Sequence, residues 1–147
     1  MDYTDMTKER LLTYRSKRQE IRELEYILNN RWKFESMVEC DTIFDYRKGY
    51  PIPQSIVGFD QERYERLQDR DIHRKSELEA ECRLIEDYIG EIKDSMTRRI
   101  FQVYFTDGLS NVTQENVAKR MNIERSYVSK KINDYLQHSH YSQKSQL

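Results

Sequence analysis

The most specific chemical pattern in this chain sits near its C-terminal end. Arg125, Ser126, Ser129, Lys130 and Asn133 are spaced so that a helix of 3.6 residues per turn would carry them on its outward side. Guanidinium and ammonium groups donate to the acceptor edge of guanine, and a carboxamide can pair both ways with adenine. Such a face suits the reading of base edges in a major groove. Val128, Ile132, Tyr135 and Leu136 form the complementary apolar stripe that would hold the helix down. Gln114, Lys119 and Arg120 in the preceding segment, with Lys131 in the helix itself, are candidates for gripping phosphates without reading sequence. From Thr113 to Leu147 six Lys and Arg stand against three Asp and Glu, a local charge of +3, although the whole chain carries −1. The plainer alternative is a surface helix of a small bundle with solvated charges.

Other chemistry finds little support. The four glycines stand alone at 49, 58, 90 and 108, so no phosphate-cradling loop exists. His138 and His140 lie two apart, which on a helix points the rings away from each other, and His73 reads as a solvated residue. Glu77, Glu79 and Glu81 alternate and so spread around a helix rather than converge. Cys40 and Cys82 match no paired metal-ligand spacing and read as reduced thiols. No catalytic residue, metal or cofactor is expected, and the chain does not read as an enzyme.

Positioning the basic face requires a tight pair of helices. In TQENVAKRMNIERSYVSKKINDYL, Thr113 caps a helix from Gln114 to Met121. Ala118 supplies the small side chain that a steep helix crossing needs, Asn122 tolerates a left-handed turn, and Ile123 is the apolar plug. A last helix follows from about Arg125 to His138, and residues 139–147 read as a flexible tail. Upstream, Asp94 and Ser95 cap a short helix through Ile100, Phe101, Val103, Tyr104 and Phe105, which Asp107 and Gly108 stop. Together these make a helix-turn-helix domain over 94–138.

Residues 1–93 read as a long antiparallel helical hairpin. Its helices span about 4–36, capped by Thr4 or Asp5, and about 60–93; both carry narrow apolar stripes at heptad-like spacing. The stripes lapse at Lys17 and Arg18 and again at Asp71 and Arg74, which argues against one uninterrupted parallel coiled coil. The connection, 41–59, contains both prolines, so Tyr50 and Ile52 are pushed toward extended backbone. Its Ile43, Phe44, Tyr46, Tyr50, Ile52, Ile56, Val57 and Phe59 suit either a plug over the end of the hairpin or a surface for a partner.

Composition agrees with an all-α class. Among 147 residues 37% are apolar and 35% charged, the mean hydropathy is −0.98, and four Gly with two Pro are too few for the turns of a sandwich or barrel. No run approaches the ~18 apolar residues of a membrane span, and MDYTDMTKER lacks the apolar stretch of a signal peptide, so a cytoplasmic protein without membrane contact is expected.

The stretch DSMTRRIFQVYFTDGLSNVTQENVAKRMNIERSYVSKKINDYLQ resembles region four of bacterial sigma factors. Paired arginines, an aromatic helix end and a Gly-containing turn precede the helix-turn-helix. Repressors usually place an apolar residue three after the inward Val, whereas here that position is Lys131 and Ile132 is the apolar one. With the preceding long helices, the Pro-Ile-Pro connection and IEDYIGEIKDS, the whole chain resembles phage-encoded late-gene transcriptional regulators of the ArpU/RinA type. It departs from the sigma pattern in having Asn122 where Gly is usual and Glu124 where Ser often caps. The resemblance implies sequence-specific binding of double-stranded promoter DNA, with a homodimer and RNA polymerase as further partners. Small-terminase-type phage packaging proteins, which also join a helix-turn-helix to helical oligomerisation segments, are the alternative.

Overall fold

The computed structural model describes residues 5–34, 38–108 and 110–145; for 34, 38–45, 52–59 and 139–145 the description covers the backbone only. The chain is mostly helical. Helix α1 (Lys8–Leu12) starts at Thr7, whose hydroxyl accepts a bond from the Arg10 amide, so the cap lies downstream of Thr4 and Asp5. Helix α2 (Tyr14–Phe34) follows after a break at Thr13. The Thr13 hydroxyl donates to the Arg10 carbonyl at 2.6 Å and competes with the backbone ladder, so the expected single helix over 4–36 is divided. A second irregularity falls at Asn30, whose φ of −134° leaves the helical region while its amide donates to the Tyr26 carbonyl at 2.9 Å.

The segment expected as a plain connection is an antiparallel ribbon. Strands β1 (Val38–Asp45) and β2 (Ile52–Phe59) pair in a register running from Val38 opposite Phe59 to Asp45 opposite Ile52. The prolines that exclude helix here tolerate a strand because both strands of a two-stranded ribbon are edges, where a missing amide donor costs little. This ribbon is the departure from an all-α fold. The side chain of Cys40 and those of the connection's Ile43, Phe44, Ile52, Ile56, Val57 and Phe59 lie outside the described residues.

Helix α3 (Gln61–Gly90) begins on Asp60, which accepts from the Arg63 amide, and ends slightly before the expected residue 93. Helix α4 (Ser95–Phe101) is capped by Asp94, as its sequence anticipates, and runs into a π-helical turn, Gln102–Thr106. The turn closes through the Asp107 amide on the Gln102 carbonyl at 2.8 Å, and Gly108 adopts a φ of +78°. Helices α5 (Gln114–Met121) and α6 (Arg125–Ser145) complete the chain. Residues 139–145, expected as flexible tail, continue α6; no Gly or Pro follows Gly108 to interrupt it.

The backbone forms two compact units: Met1–Ile21 with Glu77–Leu147, and Arg22–Ser76. The sequence suggests a boundary at 93/94; the observed divisions fall within α2 and α3. In the first unit Leu11, Ile85, Ile89, Ile92, Ile100, Phe101, Phe105, Val117, Val128 and Ile132 belong to one apolar core. Each such side chain contributes roughly 1.5–3 kcal/mol by leaving water. Edge-to-face contacts of Tyr135 with Tyr88 and Phe101, at centroid distances of 5.9 and 5.3 Å, join α3, α4 and α6. At the expected stripe lapse, Lys17 pairs with Glu81 at 3.4 Å and Arg18 pairs with Glu86, so α2 and α3 meet there through charge.

In the second unit the expected lapse at Asp71 proves to be an internal ion pair. Arg31 and Asp71 are about 99% and 98% buried and bond to each other, while the Arg31 Nε donates to Gln68 at 2.7 Å. Burial pushes the Asp71 carboxyl upward, but hydrogen bonds from Arg70 and Arg31 outweigh it and hold the group below the ordinary carboxylate range.

Candidate nucleic-acid interface

The candidate face rests on α5, α6 and the turn between them. The Thr113 hydroxyl accepts from the Asn116 amide at 3.1 Å and starts α5. Asn122 ends it in the left-handed region, at φ 55° and ψ 44°. The next amide, Ile123 N–H, reaches back to the Ala118 carbonyl at 3.0 Å, which also accepts from the Asn122 amide, so two donors close the end of the helix on it. Asn serves here because its short polar side chain tolerates a positive φ better than a branched residue would. Glu124 then accepts from the Tyr127 and Val128 amides to begin α6. Val117 and Ala118 of α5 are buried, and so are Val128, Ile132 and Leu136 of α6, with Tyr135 half-buried beside them.

The candidate contacts take distinct positions. Arg125, Ser126, Lys130 and Asn133 are exposed on α6. Ser129 is half-buried, and its hydroxyl accepts a long 3.5 Å bond from the Asn133 side chain. Lys131 is also half-buried, with its ammonium 5.3 Å from the centre of the Tyr127 ring. Gln114 is half-buried at the start of α5, while Lys119 and Arg120 are exposed near its end. Lys119 pairs only loosely with Glu115, at 3.9 Å and with both side chains largely in water, a contact a phosphate could displace. The face therefore presents Arg125, Ser126, Lys130 and Asn133 together, with Ser129 and Lys131 at its edges.

Three features escape the sequence pattern. Tyr127 is exposed on the first turn of α6 and forms, with Met96, Ile123 and Glu124, an open groove of about 250 Å³. Asp134 is exposed one turn beyond Lys130, so an acceptor accompanies the donors. The helical period places both residues off the Val128–Ile132 stripe, which is the signal that could have found them.

Arg15 is the third, and nothing around it in sequence announces it. This guanidinium, on α2 and 95% buried, donates to the carbonyls of Val103, Tyr104 and Asp107 at 2.8–3.0 Å. It satisfies the open carbonyl end of the π-helical turn just before the segment leading to α5.

Among the described residues no three His, Cys, Asp or Glu side chains are grouped to hold a metal ion. Cys82 is fully buried on α3, and burial pushes its thiol above the ordinary range. Among the described residues no helix is long and apolar enough to cross a membrane. In comparison with protein-family models, with curated proteins and with solved structures, nothing matches this chain.

Proposed function

We propose that this protein is a sequence-specific regulator of transcription that reads double-stranded promoter DNA with the α5–α6 helix-turn-helix. The observation that carries the reading is the division of α6. Val128 and Ile132 are fully buried, while Arg125, Ser126, Lys130 and Asn133 of the same helix are exposed. A helix anchored in this way can enter a major groove and offer donors to base edges. Lys119 and Arg120 on α5 are placed to hold the backbone. The likeness to phage late-gene regulators and to sigma region four adds promoter DNA as the target. Helices α2 and α3 form the antiparallel hairpin of this reading, available for dimerisation or for contact with RNA polymerase.

Binding to duplex DNA measured by fluorescence anisotropy between 50 and 200 mM salt tests the proposal. Neutralisation of about 4 phosphates per chain by the α5–α6 residues alone contributes roughly −3.6 to the slope of log K against log salt. Affinity indifferent to salt would contradict it. Assembly into a closed ring of many chains would favour the terminase-type alternative instead.

A further inference from the structure

The tip of the β1–β2 ribbon carries a second cluster of groups suited to nucleic acid, in the unit that does not contain α5 and α6. Its sequence is Tyr46-Arg47-Lys48-Gly49-Tyr50-Pro51, with two cations and no carboxylate. The turn is tight: the Gly49 amide donates to the Tyr46 carbonyl at 2.9 Å, and Gly49 takes a φ of +83° that disfavours any side chain. All six residues are exposed, and the tyrosines retain 65% and 57% of their surface in water. Two large rings, one on each side of two cations, thus keep more than half of their surface in water.

We infer that this ribbon tip is a second contact to duplex DNA, in which Arg47 and Lys48 neutralise backbone phosphates while the Tyr46 and Tyr50 rings cover the adjoining sugars and their hydroxyls donate to phosphate oxygens. A two-stranded ribbon is narrow enough to enter a major groove about 12 Å wide, and turn cations lead its approach. The charge fits a polyanion, and Tyr side chains donate readily to phosphate. The preset turn lowers the ordering cost of binding. The inference takes its ligand class from the proposed function but rests on different residues.

The test uses the full chain and a duplex of arbitrary sequence, since backbone contacts do not depend on bases. Replacing Arg47 and Lys48 by Ala should make the salt slope shallower by about 1.8 per chain, about 0.9 for each phosphate that is no longer neutralised. The control is Arg66→Ala with Arg74→Ala, which removes the same charge from exposed positions of α3 in the same unit and should leave the slope unchanged. Circular dichroism and melting temperature establish that each variant is folded. If the double tip variant is not folded, Lys48→Ala alone should give half the shift. An equal shift in the tip and control variants, or no shift in either, overturns the ribbon contact. So does a loss confined to single-stranded oligonucleotides. If Lys119→Ala still lowers the slope in those cases, the α5–α6 reading stands without the ribbon; if wild-type binding shows no salt dependence, both fail.

Discussion

At the scale of single residues, α6 separates side chains that could read bases from those that hold the helix in place. Lys130 is exposed near the middle of the face, whereas Lys119 stands exposed on α5. Lys130→Ala should therefore cost about 1–3 kcal/mol on a specific site and relax preference at one or two base pairs. Lys119→Ala should weaken specific and arbitrary duplexes about equally. Affinities measured for both variants on a matched pair of duplexes decide this, and an unchanged specificity ratio for folded Lys130→Ala places the reading face elsewhere. Much of this division is legible in sequence because it follows from a period of 3.6: Val128 and Ile132 are both buried. What is not legible depends on contact. Nothing in the spacing tells that Ser129 and Lys131 lie half-buried, or that the Lys131 ammonium stands over Tyr127.

At the scale of elements, two arginines show why packing exceeds what a pattern reveals. Arg15 reaches carbonyls 88 to 92 residues away in sequence, and its burial follows only once α2 has docked. Hydrogen bonds from a charged donor are worth roughly 1.5–3 kcal/mol. Arg15→Ala should thus lower stability by about 3 kcal/mol, read as the urea midpoint, and Arg15→Lys should restore little because an ammonium cannot span the same carbonyls. Arg31 and Asp71 give the complementary case. An Asp in an otherwise apolar stripe looks like a gap, since sequence cannot display its partner on the other helix. Removing one side, as in Asp71→Leu, should cost about 3–5 kcal/mol by taking its bonded carboxylate from a buried guanidinium, whereas Arg31→Met with Asp71→Leu should cost less than the single change. Thermal melts of the single and double variants check the prediction; equal losses in both would mean the pair does not act as a unit. The same dependence on pairing explains the ribbon. Pro51 and Pro53 announce extended backbone, but a strand exists only through its partner, and the register from Val38–Phe59 to Asp45–Ile52 appears only when β1 and β2 meet.

At the scale of the whole molecule, the internal ion pairs set how stability depends on pH. Hydrogen bonds from Arg10 hold the Glu81 carboxyl below its ordinary range. Burial raises the Glu86 carboxyl, but the Tyr14 hydroxyl and Arg18 outweigh it, and Asp71 is lowered in the same way by Arg70 and Arg31. A carboxyl depressed in the folded state adds stability that is fully present above its unfolded value, near 4, and disappears as pH falls through the folded one. On the alkaline side burial raises the Cys82 thiol and, for Tyr14 and Tyr135, the phenols. Their protonated forms are favoured by folding, so their contribution is whole below the unfolded values, about 8.5 for the thiol and about 10 for the phenols, and declines as pH rises beyond them. The free energy of unfolding should therefore form a plateau between about pH 5 and 8, fall in acid as three carboxylates lose their partners, and fall again in base, the thiol first. Urea denaturation across the pH range measures the curve. Cys82→Ala should lower the plateau, because a buried side chain is cut back, and should move the start of the alkaline decline upward by about 1.5 pH units, from the thiol's range to the phenols'. An alkaline limb that starts at the same pH in the variant would assign the decline to another group, and a flat acid limb would mean that these carboxylates are no better partnered folded than unfolded.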